Sequence, residues 1–579
     1  MKKWYLIMIT ALLLVGCTAP GNNNSAEPQP SEAETVTVTF LNPDGSQFAR
    51  ENVRKGYPAE KPRYDAGKKI LYGWFSADAS PWDFSNPVSE DLTLKAICYD
   101  DYPRTGISIT YQDLQEANLR ESETNAILVI YLKLTDGHPY DEEFLRTICE
   151  KETDSDNRLE SIASYYRYNS HGHADFEFHY HCYDTGMTSK QGVKYVQESG
   201  NRLCLEAFAQ YKKTHQDLSQ LDKDGDGYVD LAIIISGEDT SRTVEDGISY
   251  RMYGGALGNT GFDPDKRSPE MAHFVKANYE QISAELQPGR DRTGVRLIIH
   301  EIGHAYGLMD YYDYAEYEGT SIDSLGTFDM QSYEFGDWNP YSRLSCGWLD
   351  PYVITEDVDS VTLKLGCTSS SGEAVLIPTS KGFNGTAFDE YLLIDVLAPE
   401  GANGYDWQYC MDSRTIAPND PKKDGGVRIY HVDSRLLKFI YFPISASGRK
   451  PAFSYQEIME ALNESGYGHD CNLSNIYTNS NGYDPYLEGD SRFHHLIDLI
   501  PSDGTSKYRL STPTDWSAFT IFTPKDLFGP GEEFSMAGCG DAFPDGPLMN
   551  NGGTLDYSVR VDHYDPAAHE AIITVTRIR

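Results

Sequence analysis

With 579 residues and a mass of 65.0 kDa, the chain is too long for a single hydrophobic core, and roughly three or four domains are expected. Its hydrophobic content of 40% is typical of a globular protein and not of a disordered one. The 49 basic and 88 acidic residues give a net charge of −39, which argues against a nucleic-acid partner and favours bound cations, calcium above all.

Residues 1–17 have the pattern of a bacterial export signal. Lys2 and Lys3 precede an apolar run over residues 4–15 that is too short to span a bilayer. The sequence "LVGC", ending at Cys17, resembles the lipobox of bacterial lipoproteins, which implies a lipid on Cys17 and an anchor in the cell envelope. An ordinary cleaved signal and a short core helix are the alternatives.

Residues 18–35 are small, polar and proline-bearing, as in a flexible linker. The pattern then changes to short alternating runs over residues 36–100, which predict a small β module. This stretch resembles the β-grasp-like repeat of internalins, and the resemblance implies a spacer or adhesion module. The positions that carry it are Gly56, Pro62, Gly73, Trp74 and Leu92–Leu94.

Residues 101–350 mix strand and helix patterns and predict an α+β domain. Strands are expected at 126–134 and 229–237, and helices at 141–151, 160–170 and 201–214. A further strand near residue 180 alternates aromatic residues with His179 and His181. We interpret these histidines as the polar face of an edge strand or of a cleft wall, and a second metal site is the alternative.

Residues 351–579 are dominated by short strand patterns separated by turn residues, which predicts an all-β sandwich interrupted by one helix at 454–465. We expect His431 to serve the interior of this domain or its calcium, and not catalysis. The nine cysteines beyond Cys17 show no spacing typical of a disulfide framework, so at least one free thiol is expected. The clearest strand patterns lie at 361–365, 390–397, 426–433, 494–500 and 570–578.

The sequence "HEIGH" carries the strongest chemical signal. On a helix, His300 and His304 are about 400° apart, so both imidazoles leave the same face. Two imidazoles at this spacing suit Zn²⁺. Glu301, beside the first ligand, is expected to be the general base that takes a proton from water as it attacks a carbonyl.

Two residues beyond this motif extend the predicted zinc site. Gly307 can end the helix and turn the chain back, and Asp310 can then supply the third ligand. Glu316 and Glu334 lie further along the chain and remain competing third ligands.

The full string HExxHxxGxxD resembles the metzincin motif, with aspartate where most members have histidine. Met330 then resembles the methionine of the turn beneath a metzincin zinc site. Tyr333 is a candidate for oxyanion stabilisation, with simple packing as the alternative.

A second cluster, "LDKDGDGYVDLA", has the spacing of a calcium loop. The twelfth loop position is Ile233, so the bidentate glutamate of an EF-hand is absent, and we predict a structural Ca²⁺ site and not a sensor. An empty acidic turn is the alternative. The predicted ligands are Asp222, Asp224, Asp226, the Tyr228 carbonyl and Asp230.

Taken in order, these segments are similar to the secreted metallopeptidases of the immune inhibitor A type. The similarity runs over roughly residues 104–535 and rests on "SIASYYRYNSHGH", "DKDGDGYVDLAIIISG", "HEIGHAYGLMDYY" and "GTFDMQS". It continues in "EYLLIDV", "GGVRIYHVD", "HHLIDLIPSDG" and "DLFGPG". The resemblance implies a zinc endopeptidase that acts on protein or peptide substrates, with structural calcium and a β-sandwich after the catalytic domain.

Two other functions are compatible with the sequence. One is a surface adhesion protein with a vestigial metal site, although such a protein would be free to lose Glu301, which this chain keeps. The other is a zinc hydrolase of amides other than peptides, because HExxH specifies the attack chemistry and not the substrate.

Overall fold

The computed structural model describes residues 34–104, 124–152, 161–223, 229–245, 247–253, 256–259, 271–285, 294–308, 310–311, 325–326, 328–333, 336–410, 420, 422–434, 496–505, 522–543 and 548–578. The chain forms two compact units. One comprises Met1–Asp65 with Gly73–Ile97, and the other comprises Ala66–Tyr72 with Cys98–Arg579. The predicted signal, Cys17 and most of the predicted linker lie outside the described residues.

The first unit is built on a sheet of order β2-β1-β6-β4, in which β1 is antiparallel to β2 and parallel to β6. Buried and exposed side chains alternate along β1, as its sequence predicts, because successive residues of a strand point to opposite faces. Val38, Phe40, Trp74 and Leu94 form the core of this unit. The strands are β1 (Thr35–Leu41), β2 (Gln47–Arg54), β3 (Tyr57–Pro58), β4 (Lys69–Phe75), β5 (Pro87–Val88) and β6 (Leu92–Asp100).

The second unit begins with alternating strands and helices. The strands are β7 (Thr124–Lys133), β8 (Asp175–Asp184), β9 (Val229–Ser236), β10 (Val244–Glu245), β11 (Ile248–Ser249), β12 (Ala256–Asn259) and β13 (Met271–Asn278). The helices are α1 (Glu142–Glu150), α2 (Ile162–Asn169), α3 (Ser189–Ser199), α4 (Arg202–Thr214), α5 (Tyr279–Glu285), α6 (Gly294–Ala305), α7 (Met330–Tyr333) and α8 (Pro340–Ser345).

Five of these strands form a mixed sheet of order β12-β13-β9-β7-β8, parallel except for β12, and β10 pairs separately with β11. β7 is apolar on both faces because both are covered: Ile127 and Val129 pack in one core with α6, and Leu128 and Ile130 in another with α4. β8 lies at the edge of the sheet, as we predicted for the strand that carries the histidines.

The remaining elements follow α8. The strands are β14 (Tyr352–Val353), β15 (Ser360–Gly366), β16 (Val375–Pro378), β17 (Glu390–Leu397), β18 (Gly426–Asp433), β19 (Ile497–Leu499), β20 (Glu533–Phe534), β21 (Tyr557–Asp565) and β22 (Glu570–Arg577). The helices are α9 (Thr368–Ser371) and α10 (Gly401–Cys410). Two sheets result, with orders β14-β16-β17-β18-β19 and β15-β22-β21-β20.

Side chains from both sheets fill one hydrophobic core, in which Leu363 of β15 and Ile573 of β22 meet Ile394 of β17. The strand pattern predicted for this region is therefore present. The prediction of an all-β region was nevertheless too narrow, because α9 and α10 interrupt it, and the expected helix at 454–465 lies outside the described residues.

Seven cysteines have free thiols, and all of them except Cys182 are buried; they are Cys98, Cys149, Cys182, Cys204, Cys346, Cys367 and Cys539. No helix in the described ranges is both long and apolar enough to cross a membrane.

Candidate metal centre

Helix α6 presents one apolar and one chemical face. Val295, Ile298 and Ile302 follow helical spacing and are buried against the central sheet. Tyr166 donates a hydrogen bond to the carbonyl of Ile299 at 2.7 Å, which fixes the helix further. The opposite face carries Arg296, His300 and His304, which are one turn apart from one another.

Both histidines are oriented by backbone carbonyls. His300 is hydrogen-bonded through Nδ1 to the Met330 carbonyl at 2.8 Å, and His304 through Nδ1 to the Leu308 carbonyl at 2.7 Å. A carbonyl oxygen only accepts, so each Nδ1 carries the proton and each Nε2 keeps its lone pair. The two rings stand at 89° with their centroids 4.9 Å apart. This is the tautomer that metal-ligating histidines need.

Asp310 faces the Nε2 atoms of both histidines. Its Oδ1 lies 2.9 Å from His300 Nε2 and 3.5 Å from His304 Nε2, and its side chain is only 5% exposed. Burial acts to raise the pKa of Asp310, but the two histidines outweigh burial and hold it well below its usual range. Burial likewise acts to lower the pKa of His304, yet Asp310 raises it above the ordinary value. A metal ion bound to both Nε2 atoms and to the Asp310 carboxylate would compete with protons for these atoms, because metal ligands have to be deprotonated.

The end of α6 explains how the third residue reaches the other two. Leu308 N–H donates to the Gly303 carbonyl at 3.0 Å, and Gly307 N–H donates to the His304 carbonyl at 2.9 Å. These two bonds form a Schellman motif, which requires Gly307 at φ +87°. The turn reverses the chain towards Asp310 and also positions the Leu308 carbonyl that holds His304. The predicted role of Gly307 as helix terminator is confirmed.

Replacing Gly307 by alanine is expected to destabilise the fold by about 1–2 kcal/mol, because a Cβ is disfavoured at this positive φ. The same change should displace the Leu308 carbonyl and weaken metal binding. Thermal melting and zinc titration measure the two effects. Gly186→Ala is the matched control, since Gly186 has φ +67° and lies away from this turn. Equal zinc affinity in both variants would contradict the role given to the turn.

Met330 lies directly beside the candidate ligands. Its side chain is fully buried in the core beneath α6, and its carbonyl orients His300. The next carbonyl, that of Gln331, accepts from Tyr311 N–H at 2.9 Å and so holds the chain next to Asp310. The segment 329–333, called the Met330 turn below, follows α6 in the chain. Through its backbone it orients His300 directly and Asp310 by way of the neighbouring Tyr311.

Asp329 fixes this turn from below. Its carboxylate accepts from Gln331 N–H at 2.8 Å and from Asn339 N–H at 2.7 Å, which ties the first turn of α7 to the residue directly before α8. Burial raises the pKa of Asp329 to about 6 although these bonds act in the opposite direction. Sequence reasoning missed Asp329, and its position directly before a short helix was the only signal.

Glu301 lies next to His300 on α6 and is 9% exposed. Its negative charge contributes, after the larger effect of Asp310, to the raised pKa of His304. Tyr333 ends α7, and its side chain lies outside the described set, as do Glu316 and Glu334. The oxyanion role of Tyr333 and the competing third ligands therefore stay predictions.

The donor set fits a small divalent metal ion. One atom each of His300, His304 and Asp310 lies within 4.8 Å of the other two, and no other such group of three is found among the described residues. Two ligands about 2.1 Å from one ion at a tetrahedral angle are about 3.4 Å apart, and the observed separations of 2.9 and 3.5 Å bracket that value. Neutral imidazole and carboxylate are also the donors that catalytic zinc sites use.

The predicted calcium loop is described only at its two ends. Asp230 is 1% exposed, and its carboxylate accepts from Lys223 N–H at 2.9 Å. Asp230 N–H in turn donates to the Leu221 carbonyl at 2.9 Å, which closes the loop. Asp222 is partly buried at the other end, whereas Asp224, Asp226 and Tyr228 lie outside the described residues.

His431 belongs to the interior of the C-terminal sheets. Its Nε2 lies 2.8 Å from Glu390 Oε1, and Glu390 also accepts from the backbone N–H groups of Asn550 and Asn551 at 2.7 Å. Burial acts to lower the pKa of His431, but Glu390 outweighs burial and raises it above the ordinary value. The residue is a buried partner of a carboxylate, as expected for a structural histidine.

This pair predicts a pH dependence of stability. The raised pKa of His431 stabilises the fold below the unfolded value of about 6.5, and this contribution is lost as pH rises through the folded value. Glu390→Gln should therefore lower the melting temperature more at pH 6 than at pH 9. Melting curves across that range measure it, and an equal loss at both pH values would contradict the pairing.

Comparison of the sequence with models of known protein families finds no match, and no curated protein searched is similar to the chain. The resemblance to immune inhibitor A-type peptidases therefore stays an expectation from the motifs, and function has to be argued from the site.

Proposed function

We propose that the chain is a zinc-dependent endopeptidase anchored by lipid at Cys17 in the cell envelope. The observation that carries the proposal is the convergence of His300 Nε2, His304 Nε2 and the Asp310 carboxylate, next to a buried Glu301. In this proposal the first three residues hold zinc. When bound, zinc supplies Lewis acidity that polarises a carbonyl and makes water a better nucleophile near neutral pH.

Within that proposal, each residue has a separate task. The backbone carbonyls of Met330 and Leu308 keep both imidazoles in the ligating tautomer. Glu301 takes a proton from the attacking water and returns it to the departing amine. The metzincin-like fold of this region and the β-grasp-like fold of the first unit belong to the proposal as well, since the motifs suggest both.

Zinc removal and restoration tests this function. The full chain is treated with a chelator, assayed on a peptide library, and then given back one equivalent of Zn²⁺. We expect cleavage to stop and return, with close to one zinc per chain in the active sample. Binding to surface ligands that survives chelation, together with no cleaved peptide, would instead favour the adhesion function. Cleavage of non-peptide amides alone would redefine the substrate class.

Calcium at the 222–230 loop is a separate part of the proposal, supported by the buried Asp230 and the closed backbone of the loop. Binding to the folded chain alone would stabilise it by about 2.7 kcal/mol at a hundredfold excess over Kd. We therefore expect the melting temperature to rise on adding Ca²⁺ and expect Asp230→Asn to abolish the rise. Melting that is independent of Ca²⁺ would contradict this site.

A further inference from the structure

Asp406 lies on α10, more than ninety positions after Asp310 in the sequence. Asp406 is 2% exposed, and its Oδ2 accepts from Arg296 Nη1 at 2.5 Å and from Gly336 N–H at 2.6 Å. One carboxylate oxygen therefore joins three segments that are remote in the chain. Two of these segments build the candidate metal centre.

The first contact controls the rotation of α6. Arg296, His300 and His304 follow one another at intervals of four residues, so they form a single stripe with about 40° of drift per step. Arg296 is 9% exposed. A buried guanidinium stays paired with its carboxylate, because breaking the pair would leave an uncompensated charge in the protein interior. The Arg296–Asp406 pair thus holds the ligand-bearing face of α6 one turn before the first ligand.

The second contact controls the segment after the Met330 turn. Gly336 has φ +70°, and a Cβ there would lie 2.5 Å from Asn403 Oδ1, so this segment is in close contact with α10. Asp337 N–H donates to the same Asn403 oxygen at 2.8 Å. Asn339, three residues after Gly336, donates its N–H to Asp329, the residue that fixes the Met330 turn.

We propose that Asp406 is a positioning residue of the metal centre, because it ties the His300-bearing face of α6 to the segment that carries the Met330 carbonyl. The distance between those two parts decides how the His300 ring is tilted, since its Nδ1 is bonded to that carbonyl. The inference rests on the proposed zinc function. It makes α10 a component of the metal site and not a part of an accessory β domain.

Its test compares Asp406→Asn with Glu390→Gln in the full chain. Both changes neutralise a buried carboxylate paired with a cationic or basic side chain, and the hydrogen bonds described above for Glu390 go to His431, Asn550 and Asn551 in the C-terminal part of the chain. Zn²⁺ affinity is measured by competition with a chromogenic chelator. The visible spectrum of the Co²⁺-loaded protein reports ligand geometry without any need for activity.

We expect Asp406→Asn to bind Zn²⁺ about 10–100-fold more weakly, as for lost partners that orient metal ligands, and to alter the Co²⁺ spectrum. Glu390→Gln should lose thermal stability yet keep both metal readouts. A third variant, Arg296→Met with Asp406→Leu, removes both charges and restores folding if Asp406→Asn unfolds, since an apolar pair can replace a buried ion pair. In that variant, the altered Co²⁺ spectrum should persist.

Wild-type affinity and spectrum in Asp406→Asn, or in the apolar double variant, would overturn the positioning role and leave the zinc function standing. Absence of Zn²⁺ binding by the unmodified chain would overturn the proposed function and this inference with it.

Discussion

Glu301→Gln should lower kcat on a cleavable peptide by about 10²–10⁴-fold, the range that general acid–base catalysis contributes. Glutamine keeps the size and one oxygen of the side chain but cannot accept the proton of the attacking water. Because Glu301 is not one of the three converging residues, zinc content should stay close to one per chain. KM should change little, since the substrate is bound by other groups.

Atomic emission for zinc and steady-state kinetics measure the two quantities on one preparation. Glu198→Gln, at an exposed glutamate of α3, is the control for loss of one negative charge. If Glu301→Gln cleaved peptides as fast as the unmodified chain, the proton transfer assigned to Glu301 would be wrong. If it lost zinc, Glu301 would be a ligand and not a base.

Asp310→Asn should weaken zinc binding by more than about 100-fold, because even partners outside the ligand set are worth about 10–100-fold. An amide has nearly the same shape as the carboxylate but no charge, so the two imidazoles would have to hold the ion alone. The substitution also removes the group that raises the pKa of His304. Cleavage should fall in proportion to the zinc that is lost.

Chelator competition measures the affinity, and Asp184→Asn, at an exposed aspartate of β8, controls for the loss of charge. In the metzincin motif, which this string resembles, most members have histidine at the position of Asp310. This variant therefore tests the residue at which the predicted site differs from that motif. Zinc binding at the unmodified affinity in Asp310→Asn would move the third ligand to Glu316 or Glu334, and each can then be replaced in turn.

The local parts of the site could be predicted from the sequence because their determinants lie within one helix and one turn. A spacing of four residues puts His300 and His304 on one face, and Gly307 is the residue that a left-handed turn needs. Strands β7 and β9 could also be predicted from the sequence, because continuous apolar runs are typical of strands covered on both faces.

The supporting parts could not be predicted, because they depend on contacts between remote segments. The sequence "GANGYDWQYC" of α10 carries two glycines and little apolar periodicity, so it gives no local helix signal. The position of this helix depends on Asn403 and Asp406, and the partners described above for these two residues lie 66 to 110 residues earlier in the chain. No local pattern marks such pairs.

The buried thiols have a consequence for how the chain reaches its folded state. Burial raises the pKa of Cys204 and Cys539 to about 11 and that of Cys367 to about 12, so little reactive thiolate exists in the native protein at neutral pH. Before folding, the same thiols are exposed and ordinary in reactivity. In an oxidising compartment, folding therefore has to bury these thiols faster than they form disulfides. The yield of native protein then depends on the ratio of the folding rate to the rate of thiol oxidation.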